Sequence, residues 1–210
     1  MFFDPVFHII IKDIFTDEEN KNILDEAVSL EDKFVEADVN RGVDKNIRYN
    51  DVVYYDPLFK DRYNSELLTR IDSLFIHPEF NDLLSSSPYP INVFNRTNHH
   101  VTQVSRYGNN SKYDWHIDSF DNNDRIITAV YYFNETPKQY IGGELQLTNS
   151  PISSGQPVIY SPKIKTIIPN NNMLVIFDSH TPYRVLPTQS PEEFNLGRFS
   201  VNCWIGIKNN

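Results

Sequence analysis

Two side chains stand at a spacing that metal chemistry uses, His116 and Asp118, at the end of the stretch Tyr113-Asp114-Trp115-His116-Ile117-Asp118. Residues two apart on an extended segment project to the same face, so this imidazole and carboxylate can meet one ion together. A second imidazole would complete a facial set of two histidines and one carboxylate, which on iron(II) leaves three positions for a bidentate oxoacid and dioxygen. Zinc sites use a similar set, so residue types alone do not name the metal. A His-x-Asp also arises by chance, and the surrounding sequence decides its weight.

The pair needs a rigid extended scaffold, and the second half of the chain supplies one. From residue 91 onward, short segments rich in Val, Ile, Tyr and Phe alternate with clusters of Asn, Asp, Gly, Pro and Ser, the pattern of strands and turns. Strands are expected at about 100–107, 125–133, 144–148, 157–160, 164–168, 173–178 and 198–207, the count and spacing of a double-sheet jelly roll. The first half differs. FHIIIKDIF reads as a strand, and Thr16 with Glu19 forms a capping box opening a helix over about 17–30. A second amphipathic helix is expected from Pro57 to about Phe75, with a VVYYD strand between the two. The expected fold class is thus mainly β with flanking helices (α+β), a double-stranded β-helix core packed by N-terminal helices. One domain spans 1–210, with 1–90 supporting a jelly-roll core over 91–210.

Bulk properties narrow the function. A chain of 210 residues with 40% hydrophobic and 13% aromatic content can bury a substantial core. Its net charge of -9 and pI near 5.1 speak against nucleic acid as a partner, since phosphate-tracking surfaces are basic. The lone cysteine, Cys203, forms no intramolecular disulfide and reads as a small buried thiol beside Trp204. No apolar run approaches the roughly 18 residues of a membrane span, and MFFDPVFHIII lacks a basic n-region and cleavage site, so a cytoplasmic location away from membranes is expected.

The ordered motifs of the second half resemble the prolyl 4-hydroxylase-like family of 2-oxoglutarate and iron(II) oxygenases. They are Tyr107-Gly108, Tyr113 to Asp118, Thr128 to Asn134, Gly142-Gly143-Glu144-Leu145, Val175 to Ser179, Arg184-Val185-Leu186-Pro187 and Arg198 to Trp204. The resemblance implies iron(II), 2-oxoglutarate as co-substrate, O2, and ascorbate as an optional accessory. It also implies hydroxylation of an aliphatic C–H bond with succinate and CO2 as co-products. Arg198 matches the family's basic residue for the distal carboxylate of 2-oxoglutarate, where a guanidinium fork gives two charge-assisted hydrogen bonds. Tyr132 matches a phenol donor to the same carboxylate, and Tyr107 and Tyr113 are further pocket candidates, with core packing as the alternative for each. Trp204 shares a face with Arg198 and can wall the cavity. Gly142-Gly143 reads as structural, at a positive φ or bulge.

One position departs from the family. The second histidine is expected directly before Arg-Val-x-Pro, but Tyr183 stands there and His180 lies three residues earlier. A shortened loop bringing His180 to the metal, a Tyr183 phenolate ligand, and loss of iron are the competing explanations. The first is favoured, because imidazole is a good neutral ligand whereas a phenol starts from a pKa near 10. The expected metal set is therefore His116, Asp118 and His180, which are also the catalytic residues. His8, His77, His99 and His100 precede the metal strands or lie in linkers.

Retained Asp118 argues against a halogenase, in which the carboxylate ligand is lost to make room for chloride. The competing class is a catalytically inactive jelly roll that binds a ligand or partner. A zinc hydrolase ranks last, because it leaves Arg198 unexplained. The substrate is expected to be a prolyl residue, an amino acid or another polar molecule, either small or peptidic. Residues 38–56, 121–124 and 188–197 are candidate lids, since loops on rigid β scaffolds commonly carry specificity. The sequence does not determine the oligomeric state.

Overall fold

Period-two alternation along the long strands builds two antiparallel sheets that face each other. The structure is a computed structural model that describes residues 6–39, 42–76, 99–119, 125–153, 156–158 and 163–206. The major sheet has seven strands in the order Ile9–Lys12, Met173–Asp178, Arg125–Phe133, Arg198–Gly206, His99–Tyr107, Asp51–Tyr54 and Val35–Glu36. The minor sheet has five, in the order Ile164–Ile167, Leu145–Thr148, Tyr183–Val185, Lys112–His116 and Arg48–Tyr49. Apart from the pair Asp51–Tyr54 and His99–Tyr107, neighbours in both orders are non-consecutive in sequence, so the chain crosses between the sheets as a jelly roll requires.

The two faces of the major sheet bury different layers. On its outer face, Ile23, Leu24 and Ala27 of the helix Asp17–Ser29 and Leu67, Leu68 and Ile71 of the helix Glu66–Ile76 pack against Val104, Ala129, Tyr131, Leu174 and Val201. Each fully buried Leu or Ile there contributes about 1.5–3 kcal/mol. On the inner face, Val130, Tyr132, Val175 and Phe177 meet Leu145, Leu147 and Tyr183 of the minor sheet. Successive residues such as Tyr131 and Tyr132 thus serve opposite layers.

The first helix begins as expected, with Thr16 Oγ1 accepting from Glu19 N at 3.2 Å and Glu19 Oε2 accepting from Thr16 N at 2.9 Å. The expected second helix is broken in two. A short turn at Tyr55–Leu58 and a 3-10 turn at Arg62–Asn64 precede the helix Glu66–Ile76. Asp61 accepts from Tyr63 N at 3.1 Å, and Ser65 Oγ accepts from Leu68 N at 3.1 Å. These side chains take backbone N–H groups that a continuous helix would use, so each starts a new turn. Residues 159–160 of one expected strand lie outside the described residues. The strands Lys112–His116 and Tyr183–Val185, which go beyond the expected set, carry the site.

Candidate active site

His116 is the last residue of its strand, and its ring is held by its own chain. Nδ1 lies 2.7 Å from the Asp114 carbonyl oxygen, so Nδ1 carries the proton and donates, which leaves the Nε2 lone pair free to act as a ligand. Nε2 is buried with no hydrogen-bond partner among the described residues. Burial pushes the imidazole down to about 4, against the opposing pull of Asp118, so the ring is neutral at pH 7. Tyr113 stacks on it with ring centroids 3.5 Å apart.

Asp118 lies just past the strand, where the Asp118 and Ser119 N–H groups both donate to the Ser179 carbonyl oxygen at 3.0 Å. Asp118 as a whole is only 4% exposed. It accepts from Thr128 Oγ1 at 2.7 Å and from Tyr183 Oη at 3.1 and 3.0 Å to its two oxygens. Tyr183 stands directly across from His116 in the strand register, with ring centroids 4.0 Å apart. Burial first, and then the Asp118 charge, push its phenol well above the ordinary value. Tyr183 is therefore a protonated donor to Asp118.

The structure does not bring His180 to this pair. Asp178 Oδ1 accepts from His180 N at 2.8 Å and lies 3.0 Å from its Nδ1, and the His180 side chain is 70% exposed. This closed turn spends His180 on the outside, and the strand resumes at Tyr183, which takes the place opposite His116. Among the described residues no three His, Cys, Asp or Glu side chains cluster to hold a metal. His116 and Asp118 are brought together with a phenol as their third neighbour.

Beside this pair lies a cavity of about 780 Å³ whose lining includes Tyr107, Tyr113, Trp204, Arg48, Asp38 and Asn202 as well as His116, Asp118 and Tyr183. Arg198 is 1% exposed, with its guanidinium carbon 4.5 Å from the Tyr107 ring centroid and 4.8 Å from that of Tyr132. Among the described residues its one hydrogen bond is long, 3.4 Å from Nη1 to Ser200 Oγ, and it has no carboxylate partner. Arg198 Nε, Tyr132 Oη and Thr188 Oγ1 are all buried without a hydrogen-bond partner among the described residues. Gly143, at φ +70°, leaves room for them. A Cβ there would stand 2.6 Å from Arg198 Cδ and 2.9 Å from Thr188 Oγ1, so this glycine shapes the arginine pocket as well as the turn. Unsatisfied buried donors around an unneutralised guanidinium are costly unless an anion completes them.

Comparisons with known proteins give the family and the fold. The model of the 2OG-Fe(II) oxygenase superfamily matches residues 102–206. The chain belongs to that superfamily. The superfamily takes its name from 2-oxoglutarate and iron(II). A curated relative, an uncharacterized PKHD-type hydroxylase from Synechocystis, is 27% identical over 209 residues. That match covers 95% of this chain, which spans only 63% of the relative's length. Among solved structures, a Pseudomonas putida prolyl-4-hydroxylase superposes with TM-score 0.67 at 20% identity, covering 96% of this chain and 93% of the other. A Trichoplax adhaerens prolyl hydroxylase, solved with a peptide fragment of hypoxia inducible factor, gives 0.66 at 20% identity, covering 95% and 83%. These likenesses confirm the jelly-roll fold class.

The residues fit iron at two positions, through the free Nε2 of His116 and the Asp118 carboxylate, and fit a dicarboxylate at Arg198. Thr128 and Thr188 were not among the expected site residues. Thr128 carried a signal, since it shares a strand face with Tyr132, whereas Thr188 lies in a stretch that reads as a loop. Arg48 lies within a candidate lid, with nothing in the sequence to single it out.

Proposed function

We propose that the protein is a 2-oxoglutarate- and iron(II)-dependent dioxygenase that hydroxylates an aliphatic C–H bond of a polar substrate. The observation that carries this reading is the buried, partnerless Nε2 of His116 beside the Asp118 carboxylate. His116 and Asp118 would hold the iron, which when bound supplies dioxygen activation coupled to decarboxylation of 2-oxoglutarate. One oxygen atom goes to the substrate carbon as hydroxyl and the other to succinate, with CO2 released.

The chain's own residues prepare that step. The Asp114 carbonyl fixes the His116 tautomer, while Thr128 and Tyr183 orient the Asp118 carboxylate. Such outer contacts commonly set metal affinity. Tyr183 acts as a hydrogen-bond donor to Asp118, and His180 stays outside the site. Arg198, Tyr132 and Thr188 receive the distal carboxylate of 2-oxoglutarate, with Tyr107 stacked against the guanidinium.

The test is anaerobic reconstitution with iron(II) and 2-oxoglutarate, reading the visible charge-transfer band, followed by air and quantification of succinate. A band and iron-dependent succinate that a chelator abolishes are expected. Folded, iron-supplemented protein that shows neither would overturn the reading.

A further inference from the structure

A second buried guanidinium, Arg48, lines the cavity from the edge strand of the minor sheet, whereas Arg198 sits on a central strand of the major sheet. Arg48 is 9% exposed and stands opposite Tyr113 in the register of the minor sheet. Its guanidinium carbon lies 4.6 Å from the Tyr113 ring centroid, and Tyr113 in turn stacks on His116. Arg48 is therefore one aromatic ring away from the metal-binding imidazole.

Among the described residues, every hydrogen bond of this guanidinium is to a neutral group. Nε donates to Asn50 Oδ1 at 2.9 Å, Nη2 to Gln103 Oε1 at 3.0 Å, and Nη1 to the Asp38 carbonyl oxygen at 3.4 Å. Other buried or half-buried arginines behave differently. Arg106 pairs with Asp51, Arg62 with Asp56 and Asp72, and Arg70 with Glu19 and Glu66. Among the described residues only Arg48 and Arg198 combine deep burial with no counter-charge. Both guanidiniums pull down the Tyr107 phenol, against the burial that raises it. A buried cation held by amides and carbonyls alone is poorly compensated until an anion arrives.

Resting on the dioxygenase reading above, we infer that Arg48 is the substrate anchor and that it binds the carboxylate of a small, free amino acid. Two unneutralised guanidiniums call for two anions, and 2-oxoglutarate satisfies Arg198. The Asn50 and Gln103 contacts fix the plane of the Arg48 fork, so its remaining N–H groups meet one carboxylate in a defined orientation. Asp38 and Asp44 also border the cavity, where they can face an ammonium group and disfavour a polyanion. A residue inside a peptide chain has no free α-carboxylate, so this anchor selects the free amino acid over a peptidyl one.

The experiment uses full-length protein loaded with Mn(II) and N-oxalylglycine, a non-reacting mimic of 2-oxoglutarate that fills the Arg198 pocket. Free L-amino acids and their carboxamides are then titrated by calorimetry into wild type, Arg48→Gln and Arg48→Lys. At least one free amino acid should bind saturably, its carboxamide at least about tenfold more weakly, and Arg48→Gln should lose roughly the same factor. Arg48→Lys should recover part of the loss, and N-oxalylglycine should still bind to both variants. The wild-type comparison of acid with amide needs no variant and so does not depend on the folding of either. Absence of any amino-acid binding, or equal binding of acid and amide, would overturn the inference. Loss of N-oxalylglycine in Arg48→Gln would overturn it too, by assigning Arg48 to the co-substrate. If N-oxalylglycine fails to bind wild type, the dioxygenase reading itself falls, which is a different result.

Discussion

Tyr131 and Tyr132 are neighbours on one strand, both fully buried, and face opposite layers of the molecule. On the helix-covered side, Tyr131 Oη donates to Asn20 Oδ1 at 2.6 Å. On the cavity side, Tyr132 Oη has no hydrogen-bond partner among the described residues. The difference recurs beyond these residues. Arg106, on the strand paired with that of Arg198, is neutralised by Asp51 and hydrogen-bonded to the carbonyls of Phe194 and Glu193, whereas Arg198 has no counter-charge among the described residues. Apart from Tyr55 and Thr102, the partnerless buried side-chain atoms among the described residues belong to His116 and Trp204, which line the cavity, and to Tyr132, Thr188 and Arg198, grouped behind its Tyr107 wall. Folding ordinarily satisfies buried polar groups, so a face that leaves them open marks where ligands complete the structure.

The largest effect expected on the open face comes from His116. His116→Ala should reduce iron-dependent succinate formation to background while leaving the melting temperature near wild type, as read by thermal unfolding. Next come the two arginines, whose losses should separate. Arg198→Met should weaken 2-oxoglutarate by on the order of 100-fold or more, because two charge-assisted hydrogen bonds at about 1.5–3 kcal/mol each are lost, with little loss of apo stability. Arg106→Met should leave 2-oxoglutarate affinity intact and cost about 1–3 kcal/mol in denaturant unfolding, because it orphans buried carbonyls. If both variants lost stability and neither lost affinity, the contrast between the faces would break.

A smaller effect is expected at Tyr183. Tyr183→Phe should weaken iron about tenfold in an anaerobic titration, the usual scale for losing a contact to a metal-binding carboxylate. His180→Ala should change neither iron affinity nor turnover. A loss of iron in His180→Ala would restore the triad that the sequence suggested.

The long strands were legible because period-two runs of Val, Ile, Tyr and Phe are hard to place otherwise, and 125–133 and 173–178 match the structure end to end. The capping box announced the first helix. The break in the second helix was hidden, since its cause is competition by Asp61 and Ser65 for backbone N–H groups, while the apolar spacing continues across the break. Arg198, Tyr132 and Tyr107 come together as their ordered motifs implied. His180 reads as a ligand in one dimension because residue type favours it, but a three-residue difference in a turn decides which side chain faces inward. Arg48 was illegible for a related reason. Its significance is the absence of a counter-charge, which only the packed structure reveals.

The most direct measurement is calorimetric titration of 2-oxoglutarate into anaerobic iron(II)-loaded Tyr132→Phe and Tyr131→Phe, each with its melting temperature. Tyr132→Phe should bind roughly tenfold more weakly with its melting temperature unchanged, whereas Tyr131→Phe should bind normally and melt about 2–4 °C lower. The reverse pattern, with affinity kept and stability lost in Tyr132→Phe, would contradict the assignment of the open polar face to ligand binding.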